Sequence, residues 1–326
     1  MRPGLALCTL MLALLAGADP ARAADYPERA VKVVVPFPAG GFIDAVARIA
    51  TQRLSVGLGQ PVIVENRAGA GGRIGEEYVA NANPDGYTLL IDIVTRPTLM
   101  QAVNNAEPET IDILRSFVPI GAIGSSPTVL DVSPALGVKD FASFVRKIKS
   151  EPGTHSYASA GLGTPSYIVS AQLVREFGFN VVHTPYRGGA PALQDVAAGV
   201  MSWMVDTPST SLGLVQAGKV VPLFIVYPVR VKALPDVPTL AELGYPSFKD
   251  EIMTIYLLAP AGTPTAAAAR LSTAVIGLQG DAAVRSRLEK IAIEPAPVGD
   301  LAATRAQVSG QIAAWDRAVK QAQAAQ

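Results

Sequence analysis

Short apolar runs and helix-spaced segments alternate along this chain, and glycine-rich corners join them. No other feature constrains the fold as tightly. The run AVKVVVPF, rich in β-branched residues, has the length and composition of a buried strand. It stops at a Pro-Phe-Pro corner, and Gly40 and Gly41 follow. DAVARIATQRL then spaces Ala45, Ile49 and Leu54 along one helix face. QPVIVEN predicts a second strand, GEEYVANANPDG a helix stopped at Pro84, and YTLLIDIV a third strand. This order and spacing predict parallel strands joined by right-handed crossovers.

The middle of the chain repeats the scheme. FVPIGAIGSSPTVLDVS is long and extended, and VKDFASFVRKIKSEP reads as a helix whose late Lys and Arg suit the helix dipole. THSYASAGLGTPSYIVSAQLVREFG, NVVHTPYRGGAPALQDVAAG and VMSWMVDTPSTSLGLVQAG each read as strand, turn and helix, and VVPLFIVYP adds a strand. The end differs: EIMTIYLLAPAGTP is extended, and Ala- and Arg-rich helices run from Ala266 to the C-terminus. Two extended segments, 117–133 and 251–260, carry no turn signal where one lobe should end. Both are therefore expected to cross between two α/β lobes. The first lobe is expected to hold residues 24–124 plus 253–326, and the second residues 125–252. Two crossing strands make a hinge, and the cleft between the lobes is a natural ligand site.

The start of the chain reads as a leader. Arg2 precedes the apolar run LALCTLMLALLA, and ARA at 21–23 supplies a small-x-small cleavage site, so residues 1–23 are expected to be a secretory signal peptide. The run is shorter than the ~20 apolar residues that a membrane-spanning helix needs. Cleavage before Ala24 removes Cys8, the only cysteine. The remaining chain then has no disulfide, no Cys-based metal site and no thiolate nucleophile. Removal of Arg2, Arg22 and Asp19 leaves 27 − 2 = 25 basic and 27 − 1 = 26 acidic residues, a net of −1. That balance offers nothing to nucleic acid or to an anionic membrane. The expected product is a soluble periplasmic monomer.

Three turns share one composition: PFPAGGFID (36–44), SAGLGTPS (159–166) and YRGGAP (186–191). Each lies after a predicted strand and before a predicted helix. In an open parallel sheet, ligands bind beyond the carboxyl ends of the strands. A helix N-terminus there presents free N–H groups and partial positive charge, which attract an anion. Glycine lets the ligand approach the backbone. A single such turn is weak evidence, but three at the same edge favour anion binding. They do not spell a nucleotide fingerprint, because the glycines of GAGGRIG fall at 69, 71, 72 and 75 and no G-x-x-x-x-G-K-[ST] occurs.

Individual side chains have bland and functional readings side by side. Asp44 is a helix-start acid first and a ligand contact second. Asp92 interrupts LLIDIV near a strand end, facing either the cleft or a solvated edge. Asp206 and Thr207 close the strand WMVDTP at the ligand edge. Arg187 suits a ligand carboxylate, and Phe37 and Tyr186 either wall the pocket or pack. An enzyme needs more than this. His155 and His183 precede or lie within strands upstream of the turns. No G-x-S-x-G elbow and no H-E-x-x-H spacing accompanies them. Hydrolase chemistry through Ser159 or Ser166 with one histidine is the least favoured alternative, and no cofactor or metal is expected.

With these segments in view, the chain resembles the Bug-type extracytoplasmic solute receptors, the TctC-type binding proteins of tripartite tricarboxylate transporters. YPERAVKVVVPFPAGGFIDAVAR, LGQPVIVENRAGAGGRIG, NPDGYTLL, YASAGLGTPS, HTPYRGGAPALQDVAAG, ALPDVPTLAELGYP and LLAPAGTP carry the resemblance, in that order. It implies a two-lobed type II periplasmic-binding-protein fold that closes on a small carboxylate, such as a di- or tricarboxylate, a hydroxy acid or an aromatic acid. It implies a membrane permease as partner, or, for a repurposed receptor, a sensor kinase or other signalling protein. Carried onto this sequence, the first loop offers Phe37, Ala39, Gly40, Gly41 and Asp44. The second offers Ser159, Ala160, Gly161, Gly163, Thr164 and Ser166. Arg187, Gly188, Gly189 and Ala190 come from the third, with Asp206 near the floor. The sequence departs from the family where IDIV follows YTLL, where Tyr167 follows GTPS, and at Ile255-Tyr256. Asp92 is the sharpest departure: a carboxylate there disfavours a second anionic group and suits a hydroxyl or amine.

Overall fold

The computed structural model describes residues 26–69, 72–94, 111–162, 164–186, 188–248 and 252–323. The leader expected at 1–23 lies outside these residues. The predicted rhythm of strands and helices is present. Strand β1 (Val31–Val35) leads to helix α1 (Phe42–Leu58), β2 (Val62–Asn66), α2 (Arg73–Ala80) and β3 (Thr88–Ile93). β1 pairs in parallel with both β2 and β3, as the crossover spacing requires.

After the short helix α3 (Ile113–Ser116), the long extended segment forms two strands, β4 (Phe117–Ser126) and β5 (Thr128–Val132). Pro127 alone separates them, and they belong to different sheets. Helix α4 (Phe141–Ser150) opens on a capping box between Asp140 and Ser143. There follow β6 (Ser156–Ser159), α5 (Pro165–Phe177), β7 (Val182–Pro185), α6 (Gly189–Ala197), β8 (Trp203–Asp206), α7 (Pro208–Gln216) and β9 (Val221–Val226). The chain then returns through β10 (Met253–Pro260) to α8 (Thr265–Gln279), α9 (Ala282–Lys290), the two-residue β11 (Glu294–Pro295) and α10 (Leu301–Gln323).

The first sheet has the order β11-β4-β10-β3-β1-β2, and the second β7-β6-β8-β5-β9. Neither is wholly parallel. β10 runs antiparallel between β3 and β4, and β5 runs antiparallel between β8 and β9. The register of β10 on β4 shifts at Ile255/Tyr256 and Leu257/Leu258. Helix α8 lies close over β4: a Cβ on Gly121 would stand 2.5 Å from Val275 Cγ1, so the approach depends on glycine.

The largest apolar core runs from one sheet to the other. Around the second sheet it is aromatic: Phe141 meets Phe177 and Phe224 edge-on at centroid distances of 5.1 and 5.0 Å, and Phe144 meets Trp203 at 5.8 Å. Such pairs contribute about 0.5–1.5 kcal/mol each beyond their area. Helix α10 ties the two halves together. Val308 and Ile312 pack in the core beneath β3 and β10, whereas Trp315, Ala318 and Val319 join the large core, and α10 touches α5 of the second half. Trp315 is fully buried and its indole N–H donates to Ile252 O at 3.3 Å.

Among the described residues, no helix is long and apolar enough to cross a membrane. None of their His, Cys, Asp and Glu side chains gather in a group of three or more that would hold a metal.

Candidate functional site

Strands β1, β6, β7 and β8 end at the turns that open α1, α5, α6 and α7. The first residues of all four helices line one cavity of ≈ 420 Å³, inside the range of about 300–1,000 Å³ usual for small-molecule sites. From the first sheet come Phe37, then Phe42 and Ile43 at the start of α1, with Ile93 and Met253 at the ends of β3 and β10. From the second come Ala160, Gly161 and Leu162, then Thr164, Pro165 and Ser166 at the start of α5. Gly189 enters from α6, Asp206, Thr207 and Thr210 from the β8–α7 corner, and Thr128 from β5.

Three of these helices open without a side-chain cap. Gly41, Gly188 and Thr207 are the N-cap residues of α1, α6 and α7, and none makes a capping hydrogen bond through its side chain. No N-cap side chain therefore covers the first-turn N–H groups of these helices, although Pro191 and Pro208 supply none and Thr210 N–H already reaches Thr207 O at 3.0 Å. Helix α5 is capped: Thr164 accepts from Tyr167 N–H, and Pro165 occupies the position where a missing donor costs nothing. Thr128 adds a polar atom of a different kind. It is 1 % exposed, and its hydroxyl has no hydrogen-bond partner among the described residues. Most buried polar groups are paired, so an orphan in a cavity wall marks a place for a ligand or water.

The acids around the site have separate environments. Asp206 is 7 % exposed and accepts from Thr210 Oγ1 at 2.8 Å. Burial pushes its carboxyl up to about 6, against the opposing pull of the Thr210 hydroxyl and Thr207 N–H. Gly189 packs so closely that a Cβ there would sit 2.1 Å from Asp206 Oδ2. Behind Asp206 lies Asp131 on β5, fully buried with neither oxygen in a well-formed hydrogen bond among the described residues. Burial raises its carboxyl well above the ordinary range, opposed by the nearby Ser211 hydroxyl and reinforced by the Asp206 charge.

Asp44 is spent on its own loop. It accepts from Gly40 N–H, Arg48 Nε and Asn66 Nδ2, each at 2.9 Å. Burial opposes ionisation, but the Arg48, Gly40 and Asn66 donors prevail and hold its carboxyl below the usual range. Asn66 also reaches Phe37 O at 3.1 Å, so this network fixes the first turn rather than facing the cavity.

Asp92 corrects an expectation. It faces neither the cleft nor a solvated edge. On β3 it shares a face with Leu90 and Val94, which pack in the smaller core with Tyr256, its neighbour across β10. Ile93 on the opposite face lines the cavity. Strand alternation thus turns the carboxylate away from the site. Asp92 is 1 % exposed, and burial pushes its carboxyl up to about 8, opposed by the Ile93 N–H that it accepts at 2.7 Å.

Of the other expected residues, Phe37, Ala160, Gly161, Thr164, Ser166, Gly189 and Asp206 gather at the cavity. Ala39, Gly40, Gly41, Gly188 and Ala190 belong to the surrounding turns but are not among its lining residues. Gly163 and Arg187 lie outside the described residues. Tyr186 packs, and its hydroxyl donates to Asp195 Oδ2. Ser159 is fully buried, its Oγ 2.8 Å from His183 Nε2. That imidazole stacks on Tyr157 at 4.7 Å and lies 4.9 Å from Tyr167, and burial lowers its pKa, favouring the neutral ring. Ser166, the serine that does reach the cavity, donates to Val205 O and not to a histidine.

Phe42, Ile43, Ile93, Thr128, Leu162, Pro165, Thr210 and Met253 line the site without having been singled out from sequence. A second, larger groove of ≈ 710 Å³ opens on the outer face of the first sheet, but its cations already have partners. Arg29 pairs with Asp85, and Arg67 pairs with Glu65 and lies over the Tyr78 ring.

Comparison with known proteins is consistent with this architecture. The family model described as tripartite tricarboxylate transporter family receptor matches residues 46–323. The periplasmic binding protein BugD is 32 % identical, with a TM-score of 0.76 over 91 % of this chain and 98 % of its own. Rpa4515 of R. palustris, solved with adipate, is 31 % identical, with a TM-score of 0.79 over 91 % and 98 %. MatC of Rhodopseudomonas palustris, solved with bound malate, is 31 % identical, with a TM-score of 0.77 over 90 % and 100 %.

Proposed function

The chain belongs to the tripartite tricarboxylate transporter receptor family, and from that premise we propose that it is a periplasmic receptor that captures a small organic carboxylate and delivers it to a membrane permease. One observation carries the reading: the starts of four helices converge on a single cavity, three of them without side-chain caps. Backbone N–H groups there, in the positive field of the helix ends, stabilise a carboxylate without a fixed counter-charge. The adipate and malate bound by two similar proteins support the ligand class.

The receptor performs no chemistry on its ligand. The buried Ser159–His183 pair is a core contact, and its serine does not line the cavity. Closure turns the two halves about the two crossings between the sheets, at Pro127 and at the start of β10. Ligand contacts to both halves stabilise the closed state over the open one. A ligand that binds only the folded protein raises its apparent stability, by about 2.7 kcal/mol at a hundredfold excess over Kd. Thermal unfolding with a panel of mono-, di- and tricarboxylic acids therefore tests the reading. A rise in melting temperature with at least one acid, and recovery of that acid unchanged by mass spectrometry, is expected. No shift with any acid, or conversion of the bound acid, counts against it. Delivery is tested in cells: removing the chain is expected to abolish uptake of the same acid while the permease remains present.

A further inference from the structure

Carboxylate capture sets one acid beside another. Asp206 is the one charged lining side chain among the described residues, and Gly189 of α6 and Thr207 and Thr210 of α7 line the cavity around it. The orphaned Thr128 hydroxyl, 1 % exposed, lines the same space. A volume of ≈ 420 Å³ is that of a sphere about 9 Å across, close to the ~8 Å over which physiological salt screens exposed charges. A ligand carboxylate anywhere in the cavity therefore feels Asp206. Two carboxylates that share a site do not both ionise readily, and one of them holds a proton to higher pH.

The hydrogen bonds around Asp206 have room for that proton. Thr210 Oγ1 lies 2.8 Å from Asp206 Oδ2 and 2.7 Å from Thr207 O. A carbonyl oxygen only accepts, and a hydroxyl has one hydrogen to give. Thr210 therefore serves one of the two oxygens at a time. With Asp206 ionised, the hydroxyl donates to Oδ2. With Asp206 protonated, Oδ2–H donates to Thr210 Oγ1, and Thr210 donates to Thr207 O. Both states use the same atoms at the same distances. Burial already pushes the Asp206 carboxyl up to about 6, so at neutral pH the free protein stands just above the change.

The groups around Asp206 leave its charge unbalanced. From β5 comes Asp131, whose burial favours its neutral form. From α7 come Thr207, Thr210 and Ser211, which carry no charge. Helix α6 brings Gly189, and its Asp195 is taken by the Tyr186 hydroxyl. Beyond β6, His183 is held at Ser159 and burial favours its neutral ring. In the first half, Asp44 and Arg48 pair with each other. Arg187 precedes α6 outside the described residues, and a ligand whose charge it balanced would bind without a proton.

Resting on carboxylate capture at this cavity, we propose that Asp206 takes up one proton from solvent as the ligand enters, so that the receptor binds an acid anion together with a proton. Oδ2 gains the hydrogen and donates it to Thr210 Oγ1, and Thr210 turns its own hydrogen to Thr207 O. No other bond forms or breaks. The ligand then meets a neutral acid, and the helix starts keep their positive field for its carboxylate.

Titration calorimetry with benzoate, adipate and malate, and with any further acid that raises the melting temperature, tests this. Run at about pH 7.5 in HEPES and in Tris, the difference in heat counts the protons exchanged, and uptake close to one per ligand is expected. The complex holds the proton more tightly than the free protein. Affinity is therefore highest below about pH 6 and falls about tenfold per unit between roughly pH 7 and 8.5. Asp206→Asn mimics the neutral acid. It is expected to bind without proton uptake, with affinity flat over the same range and at least tenfold tighter than the parent at about pH 8. Asp131→Asn is expected to keep the uptake. Binding by the parent without proton uptake, uptake that survives Asp206→Asn, or uptake lost in Asp131→Asn overturns the inference and leaves capture intact. Binding of none of the acids, with no shift in melting temperature, removes capture and this inference together.

Discussion

Gly189→Ala turns the close approach over Asp206 into a measurable cost. At an ordinary helix position, alanine is favoured over glycine by roughly 0.5–1 kcal/mol. Gly189 begins α6, and its new Cβ would stand 2.1 Å from Asp206 Oδ2. The carboxylate or the helix must move. Moving the carboxylate breaks the 2.8 Å bond from Thr210, and hydrogen bonds to charged groups are worth about 1.5–3 kcal/mol. Subtracting the helix preference leaves a net loss of about 1–2 kcal/mol. Gly213 lies inside α7 with nothing within 4 Å of its Cβ position, so Gly213→Ala is the control. Thermal and urea unfolding of both variants, without ligand, reads the difference. Gly213→Ala is expected to be neutral or stabilising, and Gly189→Ala destabilising. If Gly189→Ala matches or exceeds the parent in stability, α6 does not pack tightly against Asp206, and that carboxylate is free to move.

Two other changes separate structure from binding. Asp92 has its carboxyl raised to about 8 by burial, so the folded protein keeps a proton that the unfolded chain releases near 4. Its contribution is fully present below about pH 4 and is lost as pH rises toward 8. Asp92→Asn is therefore expected to stabilise the protein on the order of 3–5 kcal/mol at pH 8 and far less at pH 4.5, and urea unfolding at the two values checks this. An equal effect at both would rule out titration as the cause. Thr128→Val removes a hydroxyl that has no partner among the described residues, so unliganded stability is expected to hold or rise. If the hydroxyl serves the ligand, titration of the bound acid will show roughly tenfold weaker affinity, and unchanged affinity would exclude the contact.

Much of the first half was legible because its signals are local. The β-branched runs, their glycine corners and the helix spacing after Phe42 identify β1, α1, β2, α2 and β3, and the spacing also implies that these strands are parallel. The antiparallel placement of β10 between β3 and β4 depends on residues far apart in the chain, and no local pattern encodes it. The same divide runs through the site. Phe37, Thr164, Gly189 and Asp206 stand out because they occupy turns at strand ends, where the rule of the carboxyl edge applies. Ile93, Leu162 and Met253 do not, because an apolar residue at a strand end or turn tip looks the same whether it faces a core or a ligand. Asp92 shows the limit most sharply. Both faces of β3 are buried, so alternation along LLIDIV does not say which face the acid takes.

The position of β10 also sets an order in time. All five strands of the second sheet lie between Thr128 and Val226, so that sheet is complete as soon as β9 has been made. The first sheet begins earlier in the chain yet finishes later, because β3 and β4 have no shared neighbour until Met253–Pro260 is available. A chain made N-terminus first therefore holds β1, β2 and β3 with an unpaired edge while the downstream half assembles. Hydrogen exchange on nascent chains stalled after Val226 is expected to show β5, β8 and β9 protected while the edge of β3 that β10 later covers stays open, and protection of that edge before Met253–Pro260 is made would contradict it. For this protein, the interval between making β3 and making β10 is the period of greatest exposure to wrong strand pairing, and a chaperone that shields that edge would act then.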